Sequence, residues 1–105
     1  MALTSSQRRH LRGLAHELSP VVHVGSAGLS EGVLREVNHS LESHELIKVK
    51  LDADRDERLA LAIEMAKATA SEVAQQIGKI VVLYRPAQDK KKRKIVFPAP
   101  GTSGT

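Results

Sequence analysis

The sequence predicts an α/β fold: one domain in the order α-β-α-β-α-β-β, with a four-stranded mixed sheet and helices packed on it. Three observations predict it. Apolar residues recur at helical spacing in three stretches, four short runs have strand character, and turn residues separate the segments at short intervals. At 105 residues the chain can bury one core but not two. Residues 1–88 are expected to form this domain, and 89–105 a basic tail without fixed structure.

Ser5 or Ser6 can cap the first helix, with Leu11, Leu14, Ala15 and Leu18 as its apolar stripe and Pro20 as its stop. Arg8, Arg9, Arg12 and His16 lie off that stripe, as a basic flank or simply a solvated face. Val21–Val24 is a short strand closed by Gly25 and Gly28, after which Ser30 can cap a second helix whose buried side is Leu29, Val33, Val37 and Leu41. In Leu46–Leu51, Ile47, Val49 and Leu51 alternate with Lys48 and Lys50, so one face of that strand is cationic. The acidic stretch from Asp52 to Glu57 suits the start of a third helix, for which Leu59, Ile63, Ala66 and Ala70 are the expected inner face. Val73–Ile77 and Ile80–Tyr84 then read as a hairpin joined by Gly78-Lys79, with Pro86 closing the last strand. Both crossovers, from Val24 to Ile47 and from Leu51 to Val73, are long enough to join parallel strands through a helix.

The formal charge is +4, which favours a polyanionic partner, but its location decides more than its sum. Lys90, Lys91, Lys92, Arg93 and Lys94 hold five of the 16 basic residues, leaving 11 against 11 carboxylates in residues 1–88. A neutral body can attract a polyanion only by segregating its charges onto faces. There are no cysteines, so disulfides are excluded, and no apolar run suggests a secretion signal or a membrane span. A cytoplasmic, monomeric protein without membrane association is expected.

The turn Gly25-Ser26-Ala27-Gly28 falls between a strand and a helix N-terminus, where amides without helical partners and the helix dipole favour an anion. Two glycines also let a sugar-phosphate backbone come close. A tight strand-to-helix turn would by itself call for the same glycines.

Three segments widen the view: VVHVGSAGLSEGV from Val21 to Val33, HELIKVK from His44 to Lys50, and IGKIVVLYRP from Ile77 to Pro86. Together, over roughly residues 4–86, the chain resembles the CRM domain in its stand-alone bacterial, YhbY-type ribosome-associated form. That resemblance implies a fold similar to the C-terminal domain of translation initiation factor three, and binding of structured ribosomal or intron RNA. It makes Gly25, Ser26, Ala27 and Gly28 an RNA-clamping loop and adds Lys48, Lys50 and Arg85 to a basic surface. Arg8, Arg9, Arg12 and Lys79 join them by charge placement. Many members of the family carry a basic residue inside this turn; with Ser26 and Ala27 here, backbone amides must do more of the phosphate binding.

The cluster from Lys90 to Lys94 reads as an arm that releases counterions, with a log-log salt slope of about −3.5 to −4.5 for five phosphate contacts; a solubilising tail without fixed contacts is the alternative. Asp52-Ala53-Asp54-Arg55-Asp56 begins like a calcium loop, but Glu57 stands where that loop needs glycine and Ile63 where it needs glutamate. His10, His16, His23, His39 and His44 include no i, i+4 pair on one helix, so no metal is expected. No nucleophile elbow, phosphate-binding lysine loop or dinucleotide fingerprint occurs, and no cofactor is expected. The expectation is a non-enzymatic protein that binds ribosomal RNA of the large-subunit precursor and assists assembly. The competing reading is a module docking on a ribosomal protein, with the tail as a nonspecific tether. A third is a small enzyme holding a phosphorylated metabolite at the same helix N-terminus, which lacks a visible acid–base pair.

Overall fold

A computed structural model describes residues 3–97. Its elements are α1 (Ser5–Ala15), β1 (Pro20–Val24), α2 (Glu31–His44), β2 (Leu46–Leu51), α3 (Arg55–Ala68), β3 (Glu72–Ile77) and β4 (Ile80–Tyr84), in the expected order, followed by one short 3-10 turn at Lys90–Lys92. The strands form a single mixed sheet in the order β1-β2-β4-β3. β1 runs parallel to β2, while β4 lies antiparallel between β2 and β3. Both crossovers therefore join strands of like direction, and the hairpin strand fills the gap left by the second.

The cap of α1 is Thr4 rather than Ser5 or Ser6. Its hydroxyl takes the Gln7 amide while the Gln7 side chain returns to the Thr4 amide, a reciprocal pairing in which both donors are satisfied. The helix ends at Ala15, so of the expected stripe only Leu11 and Ala15 are buried. Leu14 and Leu18 remain exposed. Pro20 opens β1, an edge strand, where a missing amide donor is tolerated.

Two cores lie on opposite faces of the sheet. Val22, Val24, Ile47, Val49, Leu51, Val81 and Leu83 pack against Val37 and Leu41 of α2 and Ala62 and Met65 of α3. Across the sheet, Leu46, Ala74, Val82 and Tyr84 pack against Leu3, Leu11 and Ala15. The expected inner face of α3 holds only at Ala66, which packs against the core: Leu59 and Ile63 are 48% and 57% exposed, Ala70 is exposed past the helix end, and the buried residues are Ala62 and Met65. Apolar residues occur on every side of this alanine-rich helix, so periodicity does not select its rotation. Close approach to the sheet does, and it favours the narrow Ala62.

The domain also extends past residue 88. Ile95 and Phe97 pack against the α1-side core, Phe97 edge-on to Tyr84 at 5.6 Å and beside His10 at 5.5 Å. The expected tail is thus anchored to the domain at Ile95 and Phe97, while residues 89–94 are exposed. Residues 98–105, for which the sequence predicts no fixed structure, lie outside the described residues, as do Met1 and Ala2.

Candidate nucleic-acid interface

Three loops meet at one end of the sheet. The Asp52 amide donates to Val24 O at 2.9 Å and the Leu51 amide to Lys79 O at 2.7 Å, which bring together the glycine turn, the β2–α3 connection and the hairpin tip. Within the turn the Gly28 amide closes on Gly25 O at 3.0 Å. Gly28 has φ +77°, a left-handed conformation that costs any residue with a Cβ. Gly25 differs in its backbone alone: its φ is ordinary, while at both glycines a Cβ would meet nothing within 4 Å. The fold needs glycine at Gly28 for its dihedral, whereas neither dihedral nor packing demands it at Gly25. Ser26 and Ala27 are exposed between them.

The start of α2 completes this end. Ser30 caps the helix, its hydroxyl taking the Val33 amide and its carbonyl the Leu34 amide. The amides of the exposed Glu31 and Gly32 belong to the first turn, which has no helical acceptors to offer them. The surrounding charge is mixed. Lys79 is ion-paired with Asp52 at 3.3 Å, and Asp54 caps α3 by accepting from the Glu57 amide. The acidic stretch that opens like a calcium loop is used for helix capping and for this surface pair.

Next to the glycine end, the sheet face opposite α2 and α3 is only half covered by α1. Pleat alternation puts Lys48 and Lys50 on this face, and the register pairs Lys50 with His23 on one side and Ile80 on the other. Arg12 from α1, His16 at its C-terminal cap, Lys48, Gln75, Ile77, Ile80 and Val82 line a cleft of about 280 Å³. Its floor is apolar, its charged lining residues are cationic, and Ile77 is 64% exposed at its edge. α1 carries Arg8, Arg9 and Arg12 and no carboxylate, whereas α2 and α3 together carry six carboxylates (Glu31, Glu36, Glu42, Asp56, Glu57 and Glu64) against four cations (Arg35, Arg55, Arg58 and Lys67). The helices therefore differ in net charge, and the more cationic side is the α1 side.

Two of the sequence-predicted cations are engaged in holding the fold. Arg85 donates from Nη1 to Asn38 Oδ1 and Thr69 O, both at 2.7 Å, and from Nη2 to Asn38 O at 3.1 Å. It ties β4 to α2 and to the end of α3, so much of its hydrogen-bonding capacity is used inside the fold. Arg8 is half-buried and donates to Val73 O, which joins α1 to β3. Arg9, Arg12 and Lys50 are exposed.

Lys90 to Lys94 lie at the other end of the sheet, held by a residue the sequence did not single out. Glu45, between α2 and β2, is 2% exposed and has φ +63°. Its Oε2 accepts the Ala87 amide at 2.6 Å, and its Oε1 accepts the amides of Lys94 at 2.7 Å and Ile95 at 3.0 Å. One carboxylate therefore closes the base of a loop that exposes Lys90, Lys91, Lys92 and Arg93. Lys94 Nζ caps Ser43 O at 2.7 Å, and Arg93 Nε donates to Ala87 O at 2.8 Å. Burial alone would raise the Glu45 pKa, but three amide donors and the nearby Arg93 charge hold it below the usual carboxylate value. Burial, then the Glu45 charge, push the Tyr84 phenol up. A buried glutamate between the polar Ser43-His44 and the apolar Leu46-Ile47 leaves no periodic signal. The only hint was its position, one residue before an apolar strand.

Comparison with known proteins adds an independent observation. A family model described as the CRS1 / YhbY (CRM) domain matches residues 3–85. A Haemophilus influenzae protein named RNA-binding protein is 46% identical over 90 residues, spanning 85% of this chain and 91% of its own. A Pseudomonas aeruginosa relative, named a probable RNA-binding protein, is 46% identical over 86 residues, spanning 81% of this chain and 83% of its own. Among solved structures, a Staphylococcus aureus protein determined in solution superposes with a TM-score of 0.77 at 36% identity, covering 92% of this chain and all of its own.

Proposed function

The chain belongs to the CRS1/YhbY (CRM) domain family, and from that premise we propose that it is an RNA-binding domain that engages ribosomal RNA in large-subunit precursors and assists ribosome assembly. The observation that carries this reading is the joining, at one end of the sheet, of an open glycine turn and helix N-terminus with a half-face bearing Lys48, Lys50, Arg12 and His16. Backbone amides at the turn position a phosphate, and the cations alongside supply attraction. The names of the bacterial relatives support RNA as the ligand class. Aromatic side chains are scarce, with Tyr84 and the packed Phe97 both engaged internally. Recognition therefore proceeds through shape and backbone more than through base stacking. The reading is of a cytoplasmic binding domain and not an enzyme.

Sucrose-gradient fractionation of cell extract at low and high salt tests the ribosomal part. The protein is expected with large-subunit precursors at low salt and displaced at high salt; free protein at the top in both conditions overturns the assignment. The exposed pair Leu59 and Ile63, one turn apart on α3, favours a second reading, in which that helix docks on a ribosomal protein. Co-sedimentation that survives RNase treatment but is lost in Leu59→Ser/Ile63→Ser would select it.

A further inference from the structure

We infer that this protein holds RNA at two separate places: the glycine-turn end of the sheet, and a preformed cationic loop at the opposite end for which Glu45 is the positioning residue. The inference rests on the RNA-binding reading and adds to it a second phosphodiester site and a geometry. The family match ends at residue 85, so the second site is built from chain beyond the matched domain.

The separation follows from the topology. Gly25 follows the last residue of β1, level with Leu51 at the end of β2, whereas Glu45 precedes the first residue of β2. Six residues of strand put the two ends about 20 Å apart. The loop base is fixed from both sides, since Ala87 binds one carboxylate oxygen of Glu45 and Lys94 and Ile95 the other. Between them the chain makes a 3-10 turn capped by Asp89, which leaves Lys90, Lys91 and Lys92 exposed. A free arm would lose its conformational freedom on binding; a closed loop has lost most of it in advance. Short RNA segments can therefore occupy the two ends independently, and one molecule can bridge two segments of a folded RNA.

Titration of the full chain with a tetranucleotide, the length a glycine clamp covers, followed by amide NMR, tests this. Two groups of amides should shift, residues 25–32 and residues 87–95, with independent saturation curves. Lys90→Ser/Lys91→Ser/Lys92→Ser should abolish the second group alone, and Gly25→Asp the first alone. Glu45→Gln has one acceptor oxygen and cannot serve both sides of the loop. It should strip exchange protection from one side of the loop base, either the Ala87 amide or the Lys94 and Ile95 pair, and weaken the second curve several-fold, with the first unchanged. The triple lysine variant leaves every bond to Glu45 intact, so the inference stays testable if Glu45→Gln fails to fold. A first group that shifts without the second overturns the inference and leaves the RNA reading standing. So do two groups that weaken together in every variant. No shift anywhere with any RNA overturns both.

Discussion

The two ends of the sheet prepare for an anion in opposite ways. At the glycine end the donors are backbone amides, the nearby charge is balanced by Asp52 and Asp54, and close approach depends on absent side chains. At the Glu45 end the donors are exposed lysine side chains on a hydrogen-bonded base, and the single buried carboxylate is spent on backbone amides and not on Lys90, Lys91 or Lys92. Geometry therefore resides in the first end and charge in the second. Amides at a turn select the position of a phosphate, whereas exposed ammonium groups select only its sign.

That contrast can be broken most severely by charge. Lys90→Ser/Lys91→Ser/Lys92→Ser should reduce the salt slope of RNA binding by about 2 to 3, and affinity by about 100-fold at 0.1 M salt. Fluorescence anisotropy across a salt series checks this, and an unchanged slope would show that the loop meets no phosphate. One cation on the sheet is worth less. Lys50→Ala should lower the slope by about 0.7–0.9 and affinity by roughly five- to eight-fold at the same salt, while exposed Arg35 on α2, mutated to Ala, should change neither.

The glycines sharpen the comparison through stability. Gly28→Ala must hold a side chain at φ +77° and should destabilise by about 1 kcal/mol. Gly25→Ala meets open space at an ordinary φ and should stabilise by about 0.4–1 kcal/mol by restricting the unfolded chain. Both should weaken RNA binding. Urea denaturation set beside anisotropy separates the two effects, and unchanged binding by Gly25→Ala would make the glycine a turn former only.

The smallest effect is that of pH at the Glu45 end. Because the folded-state pKa of Glu45 is lowered, its contribution is present above the ordinary carboxylate value. It is lost as pH falls through that value toward the folded one. Acidification from pH 6 to pH 3 should therefore release protection of the Lys94 and Ile95 amides before the Val49 and Leu83 amides respond. Simultaneous loss would mean that the loop base and the core unfold as one.

Much of this was written locally in the chain. The alternation in Leu46–Leu51 set which face bears Lys48 and Lys50, the Gly78-Lys79 junction set the hairpin, and the glycine pair set the turn before α2. Each rests on a backbone period or a dihedral preference that acts over a few residues. The rotation of α3, the engagement of Arg85 with Asn38 and Thr69, and the closure of the basic loop by Glu45 were decided only by tertiary structure. These pairings span 16 to 50 residues of chain, and a polar side chain's partner across such a distance is fixed by packing and desolvation, which leave no periodicity to read. The same difference explains the two ends: the glycine turn could be located from four letters, whereas the loop opposite it needed Glu45 to be buried before its cations had a fixed place.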